Sequence, residues 1–165
     1  MSSSKTQIQS YRVEYGLETV KMWRRSFQRA MGLEEQNRLS ELVAQLDYFS
    51  TIEPASIRVA VETENAAIVG MMVLSGSALD HLYIDVDYQG CGLGSRFLRL
   101  AKEESPAGIE LYTFQKNRGA RNFYESHGFV EIERGFADDQ SNPWATRKDE
   151  LADIRFRWAP DVSYV

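Results

Sequence analysis

The sequence contains very little cysteine and histidine. Cys91 is the single cysteine, and His81 and His127 are the two histidines. One thiol excludes a disulfide within the chain and suits a reducing compartment. Because structural zinc sites are built mainly from several cysteine and histidine ligands, this composition also predicts that the protein holds no metal.

Long apolar runs and an excess of positive charge are also missing. No stretch reaches the roughly 20 apolar residues of a membrane-spanning helix, and the start, MSSSKTQIQS, lacks the apolar core of a signal peptide. The 24 acidic residues outnumber the 19 Lys and Arg residues, so the formal net charge is -5. Nucleic-acid binders usually carry a basic face. We therefore expect a cytoplasmic protein that binds neither nucleic acid nor a membrane.

The residues that are present are those of an ordinary globular chain. Hydrophobic residues make up 43% and charged residues 26% of the 165 positions, which suits one domain with a full core over 1–165. Residues 1–7 are polar, and we expect them to be disordered.

Hydrophobic periodicity predicts the element order β-αα-βββ-α-β-α-ββ. The predicted strands are 8–15, 57–61, 66–74, 82–86, 109–114, 129–134 and 154–158. The predicted helices are 17–31, 34–49, one that follows Gly94, and 118–127. A mixed sheet of about seven strands with helices on both faces would bury the apolar stripes, which is an α/β (α+β) architecture.

The most informative stretch joins the fourth strand to the third helix. Its turn consists of Gln89, Gly90, Cys91, Gly92, Leu93, Gly94 and Ser95. Glycines let a ligand approach the backbone closely, and N–H groups at a helix N-terminus favour an anion such as phosphate. The turn has no lysine, which excludes a P-loop, and Ser95 stands where a dinucleotide fingerprint needs its third glycine. What fits is Gln-x-x-Gly-x-Gly, which resembles the pyrophosphate loop of the GNAT superfamily of N-acetyltransferases.

A second motif supports the same resemblance. Asn117-x-x-Ala120-x-x-Phe123-Tyr124-x-x-x-Gly128-Phe129 is similar to the second acetyl-CoA segment of that family, and the element order is also that of the GNAT fold. Asn117 lies at a strand-to-helix junction, where its amide can bond pantetheine or cap the helix. The resemblance therefore covers essentially the whole chain.

The resemblance implies a cosubstrate and a reaction. Acetyl-CoA would pass its acetyl group to a primary amine of a small molecule or peptide, by direct attack in a ternary complex. Main-chain groups of Leu82, Tyr83 and Ile84 would hold pantetheine, and the turn from Gln89 to Ser95 would hold the pyrophosphate. Family members are often dimers, so a homodimer stays open.

Tyr124 is the candidate general acid, because a phenol can protonate the leaving thiolate. The alternative is a tyrosine packed in the core, and Tyr112 is a weaker rival. For the base, the resemblance favours Asp80. His81 has the better intrinsic pKa, and water is also open. Alternation along a strand points Asp80 and His81 to opposite faces, so only one can face the acetyl group.

The acceptor is not specified by the sequence. Family members build this site from the first two helices and the last hairpin loop, which here offer Trp23, Ser26, Phe27, Glu34, Glu35, Asp138, Asp139 and Trp144. A non-catalytic acyl-CoA-binding module, acting as a sensor or partner, is the alternative function. A GNAT-fold enzyme with another acyl-CoA or an alcohol acceptor is a third.

Overall fold

The computed structural model describes residues 5–34 and 38–160. The strands are β1 (Thr6–Ser10), β2 (Ile57–Glu62), β3 (Ile68–Ser75), β4 (Ala78–Ile84), β5 (Ile109–Phe114), β6 (Val130–Phe136) and β7 (Ala152–Trp158). The helices are α1 (Gly16–Met31), α2 (Leu39–Ser50), α3 (Leu93–Glu104) and α4 (Arg118–Ser126). This is the predicted element order, and no helix within the described ranges is long and apolar enough to cross a bilayer.

The strands form a sheet of 7 strands in the order β1-β2-β3-β4-β5-β7-β6. β1, β2 and β3 are antiparallel neighbours. β4 runs parallel to β5, with Ala78 opposite Glu110. β7 lies antiparallel to both β5 and β6. The prediction of a mixed sheet of about seven strands is therefore confirmed.

By its contacts the chain divides into two compact units. The first unit consists of the described parts of 1–75 and 80–100, and the second unit consists of the described parts of 76–79 and 101–165. In the first unit the strands carry helices on both faces. Val59 and Met71 pack with Val20 of α1 on one face. On the other face a Cβ placed on Gly70 would lie 2.9 Å from the Phe97 ring of α3. Glycine at this position lets α3 approach β3 closely, and helices on both faces are as predicted.

The second unit has its core where α4 packs on β7. The Tyr124 ring of α4 lies 5.5 Å from Phe129 and 6.3 Å from Phe156, measured between centroids. Phe156 is fully buried and pairs with Leu111 of β5. The prediction that both units form one domain stays a prediction.

Several predicted boundaries were wrong, and the largest differences concern β1, β4 and α2. The first strand is Thr6–Ser10, not 8–15, because its register with β2 ends at Ser10 and Arg58 and the 3-10 turn Val13–Tyr15 follows. Thr6 and Gln7 are therefore ordered in a strand, against the expected disorder of 1–7, of which residues 1–4 lie outside the described part. β4 is Ala78–Ile84 instead of 82–86. It ends before Asp85 because the Asp85 carboxylate accepts a hydrogen bond from the Asp87 N–H and begins a short turn. α2 begins at Leu39, and residues 35–37 of the predicted helix lie outside the described part.

Candidate active site

The glycine turn occupies the connection between β4 and α3 in the first unit. A 3-10 turn, Val86–Tyr88, follows Asp85. Gly90 and Gly92 then have φ angles of 77° and 88°, in the left-handed region where a side chain is strained. α3 begins at Leu93, directly after Gly92. The chain thus reverses over Gly90 and Gly92 and places a helix N-terminus after the strand, as the motif predicted, although the helix begins at Leu93 and not after Gly94.

The surroundings of this turn fit an anionic ligand. A Cβ placed on Gly90 or Gly92 would meet nothing within 4 Å, so the space above both backbones is open. The first turn of α3 contains no acidic residue, and the first N–H groups of a helix lack partners within that helix. The turn can therefore present N–H groups and a helix dipole to the pyrophosphate of acetyl-CoA.

Two side chains brace the turn from within. The Gln89 amide donates to the Ile84 carbonyl oxygen at 3.0 Å, and the exposed Cys91 thiol contacts the Tyr88 carbonyl oxygen. Gln89 thereby ties the turn to the end of β4. The predicted contacts of Gln89, Cys91, Gly94 and Ser95 with the cosubstrate stay predictions.

The strand residues Leu82, Tyr83 and Ile84 are all half-buried. The Ile84 carbonyl oxygen also accepts a hydrogen bond from the Ser26 hydroxyl at 2.9 Å. The Tyr83 ring packs against Trp23 of α1 at 5.9 Å. Burial raises the pKa of the Tyr83 phenol to about 12, partly opposed by a hydrogen bond from Trp23. Tyr83 therefore stays protonated at neutral pH, and its predicted cofactor role, like that of Leu82 and Ile84, concerns main-chain groups.

The two candidate bases have different environments on β4. Asp80 is exposed. His81 is half-buried, and its ring lies 5.0 Å from Trp23 and 5.8 Å from Tyr48. Burial lowers the pKa of His81 to about 4, although the nearby Asp80 charge acts in the opposite direction. His81 is therefore neutral at pH 7, and the alternation of exposure agrees with the expected opposite orientation of the two side chains.

The second motif lies in the second unit. The Asn117 side-chain oxygen accepts a hydrogen bond from the Ala120 N–H at 3.1 Å, so Asn117 is the N-cap of α4. Tyr124, on the same helix, is 7% exposed. Its ring also contacts Phe123 edge-on, at 5.3 Å. The packing that we considered as the alternative role for Tyr124 is present, and its role as general acid stays a prediction.

The candidate acceptor residues that the structure describes lie in both units. Trp23 and Ser26 are buried within the first unit, and Glu35 lies outside the described part. In the second unit the Asp138 carboxylate accepts hydrogen bonds from its own loop, which lowers its pKa. Trp144 packs edge-on against Phe114 at 5.2 Å. These contacts account for Ser26, Asp138 and Trp144 without an acceptor.

Sequence reasoning missed Tyr48 and the cations at the start of α4. Tyr48 lies on α2, and nothing in its local sequence connects it with His81. In contrast, Arg118 directly follows Asn117, and Arg121 lies three residues further along the same helix. That spacing puts them on neighbouring positions of one face and was a readable signal.

Comparison with known proteins gives a consistent result. The family model of the acetyltransferase (GNAT) domain matches residues 55–131. The peptidyl-lysine N-acetyltransferase YjaB of Escherichia coli is 34% identical over 140 residues, which cover 83% of this chain and 90% of YjaB. The solution structure of apo YjaB superimposes with a TM-score of 0.71 at 26% identity, over 95% of this chain and 99% of that chain.

A structure with a bound cosubstrate is also similar. The putative streptothricin acetyltransferase of Bacillus anthracis, solved in complex with acetyl coenzyme A, has a TM-score of 0.53 at 25% identity, over 64% of this chain and 63% of that chain. The glycine turn, the capped α4 and the extent of the YjaB match agree with one another. This chain belongs to the GNAT superfamily and is an acetyl-CoA-dependent N-acetyltransferase.

Proposed function

We propose that this protein acetylates the side-chain amine of lysine in a peptide or protein. The support is the similarity to YjaB, a peptidyl-lysine N-acetyltransferase, along most of both chains. A lysine side chain is a primary amine, which is the acceptor class that the family resemblance implies.

The similarity to YjaB is the observation that carries the choice of acceptor, and the glycine turn is the one that supports acetyl-CoA as the donor. The space beside Gly90 and Gly92 is open, and the first turn of the helix that follows contains no acidic residue. Acetyl-CoA supplies an activated acetyl group as a thioester, and we assign its pyrophosphate to the turn from Gln89 to Ser95. We assign its pantetheine to the main chain of Leu82 to Ile84 and to Asn117.

We assign the proton transfers to two side chains. The lysine nitrogen attacks the carbonyl carbon, the carbon–sulfur bond breaks, and the nitrogen loses a proton. Asp80 takes that proton, directly or through water, and the Tyr124 hydroxyl gives a proton to the leaving thiolate. His81 is the rival base, since its neutral imidazole can accept a proton.

The test is release of coenzyme A thiol with peptides as acceptors. The peptide has a blocked N-terminus and one lysine, and its matched control has arginine instead. We expect thiol release and a gain of one acetyl group, located on lysine by fragmentation mass spectrometry, with the lysine peptide only. Release with small amines but with no lysine peptide would show that the acceptor class is wrong. Tight acetyl-CoA binding with no release on either panel would favour the non-catalytic module.

Three predictions from the sequence belong to the same proposal. We expect the enzyme to work in the cytoplasm, to need no metal, and to act without nucleic acid or a membrane as partner. A homodimer is also open to test, by sedimentation of the purified protein with and without acetyl-CoA.

A further inference from the structure

A cavity of about 350 Å³ lies in the second unit, outside the residues assigned to the reaction. One wall comes from the connection between β5 and α4 and from the first turn of α4. The other wall comes from the segment that precedes β7. The charged residues that line it are Lys116, Arg118, Arg121, Arg147, Asp149 and Glu150.

The two carboxylates of this cavity already have partners. Arg147 meets Asp149 through two hydrogen bonds of 3.1 and 3.3 Å. Glu150 accepts hydrogen bonds from the Arg147 N–H at 3.0 Å and from the Thr146 hydroxyl at 3.0 Å. These contacts use the acidic groups within their own segment. The lining has four cations and two carboxylates, so positive charge exceeds negative charge by two. Lys116, Arg118 and Arg121 are the cations outside the Arg147–Asp149 pair, and Arg121 also interacts electrostatically with Glu131, which does not line the cavity.

Arg121 has a donor without an acceptor. Its side chain is half-buried, and one terminal nitrogen donates to the Gln115 carbonyl oxygen at 3.0 Å. Its Nε atom is buried and has no hydrogen-bond partner among the described residues. Leaving a buried N–H unpaired costs free energy, and the planar guanidinium matches the geometry of carboxylate and phosphate oxygens. An oxyanion in the cavity would satisfy this donor.

We propose that this cavity is an oxyanion subsite, in which Arg121 with Arg118 and Lys116 binds a phosphate or carboxylate group. Two sources of such a group fit an acetyltransferase. One is an acidic side chain next to the target lysine, a reading that rests on the proposed function. The other is the terminal phosphate monoester of coenzyme A. Both sources use the same charge-assisted hydrogen bonds to Arg121.

The subsite is tested first without turnover, by titration of inorganic phosphate into the free protein. We expect the backbone amide resonances of 115–121 and 147–152 to shift together and to saturate. Arg121→Gln should weaken this binding roughly tenfold or more, the scale of one charge-assisted hydrogen bond. The matched control is Arg157→Gln, because Arg157 is an exposed arginine of β7 that does not line the cavity. Amide shifts confined to the glycine turn, or equal binding by Arg121→Gln, would overturn the subsite and leave the acetyl-transfer proposal intact.

Two further titrations identify the source. Calorimetry compares coenzyme A with dephospho-coenzyme A, and kinetics compares lysine peptides that carry Glu or Gln beside the lysine. If the source is the cosubstrate, the wild type prefers coenzyme A and Arg121→Gln loses that preference. If the source is the acceptor peptide, the wild type has a lower KM for the Glu peptide than for the Gln peptide, and Arg121→Gln has the same KM for both. A wild type that shows neither preference would overturn both assignments.

Discussion

The Tyr48 hydroxyl and the His81 Nε2 atom lie 2.9 Å apart, within hydrogen-bond distance. Tyr48 belongs to α2 and His81 to β4, so the contact joins a helix to the strand that leads into the glycine turn. Burial among Trp23, Tyr48 and Tyr83 holds the pKa of His81 at about 4. The imidazole is therefore a neutral hydrogen-bonding group at physiological pH, placed beside the exposed Asp80.

The lowered pKa of His81 predicts a loss of stability in mild acid. Its pKa is about 4 in the folded protein and 6.5 in the reference state. Between these values the unfolded chain binds more protons, so the free energy of unfolding falls as the pH is lowered through this window. The expected contribution over the whole window is up to about 3 kcal/mol, of which roughly 2 kcal/mol falls between pH 7 and pH 5. Urea unfolding at these two pH values measures that part, and His81→Gln should show a smaller fall than the wild type. His127→Gln is the control, and equal pH dependence in both variants would contradict the prediction.

Gly92→Glu should abolish acetyl-CoA binding. The substitution places a carboxylate in the open space where we assign the pyrophosphate, so steric conflict and like-charge repulsion act together. Gly76→Glu is the matched control, because Gly76 also has a left-handed φ, of 61°, and open space around it, but lies in the turn between β3 and β4. Calorimetry should show binding by the wild type and the control and little by Gly92→Glu, with all three folded by circular dichroism. Equal binding by all three would remove the turn from the site.

Asp80→Asn should lower turnover at neutral pH and recover partly at high pH. Without its carboxylate the enzyme depends on amine that is already unprotonated, and that fraction rises with pH. The pH–rate profile of kcat/KM measures this effect, with His81→Gln as the parallel variant. If Asp80→Asn leaves kcat/KM unchanged and His81→Gln lowers it, the base is His81 and not Asp80.

Tyr124→Phe should lower turnover by roughly 10²- to 10⁴-fold, the usual value of a positioned general acid. The substitution keeps the ring and its contacts with Phe129 and Phe156, so the fold and the acetyl-CoA affinity should hardly change. Tyr112→Phe is the control, because Tyr112 is 66% exposed on β5. The measurements are kcat for lysine-peptide acetylation, acetyl-CoA affinity and thermal unfolding. Near-wild-type turnover would limit Tyr124 to packing and leave protonation of the thiolate to water.

The parts of the fold that could be predicted are those that depend on residues close together in the sequence. β5 was predicted as 109–114, and it is Ile109–Phe114, because a short apolar run bounded by Gly108 and the Asn117 turn has clear limits. Gly32 ends α1 with a φ of 66°, as a C-terminal glycine should. β1 was misplaced, because Thr6 and Gln7 have no apolar signal and are held in a strand by backbone pairing with β2.

By itself the sequence determined the glycine turn, the strand-to-helix junction at Asn117 and the order of the elements, since each depends on neighbours within a few positions. Only the tertiary structure decided which distant side chains meet. Tyr48 meets His81 from 33 residues away, and Arg121 shares a cavity with Arg147 across β6 and its following loop. The low pKa of His81 follows from burial, and so does the Arg121 Nε atom that has no hydrogen-bond partner within the part of the chain that the structure describes. Burial depends on how whole elements pack, which no local pattern encodes.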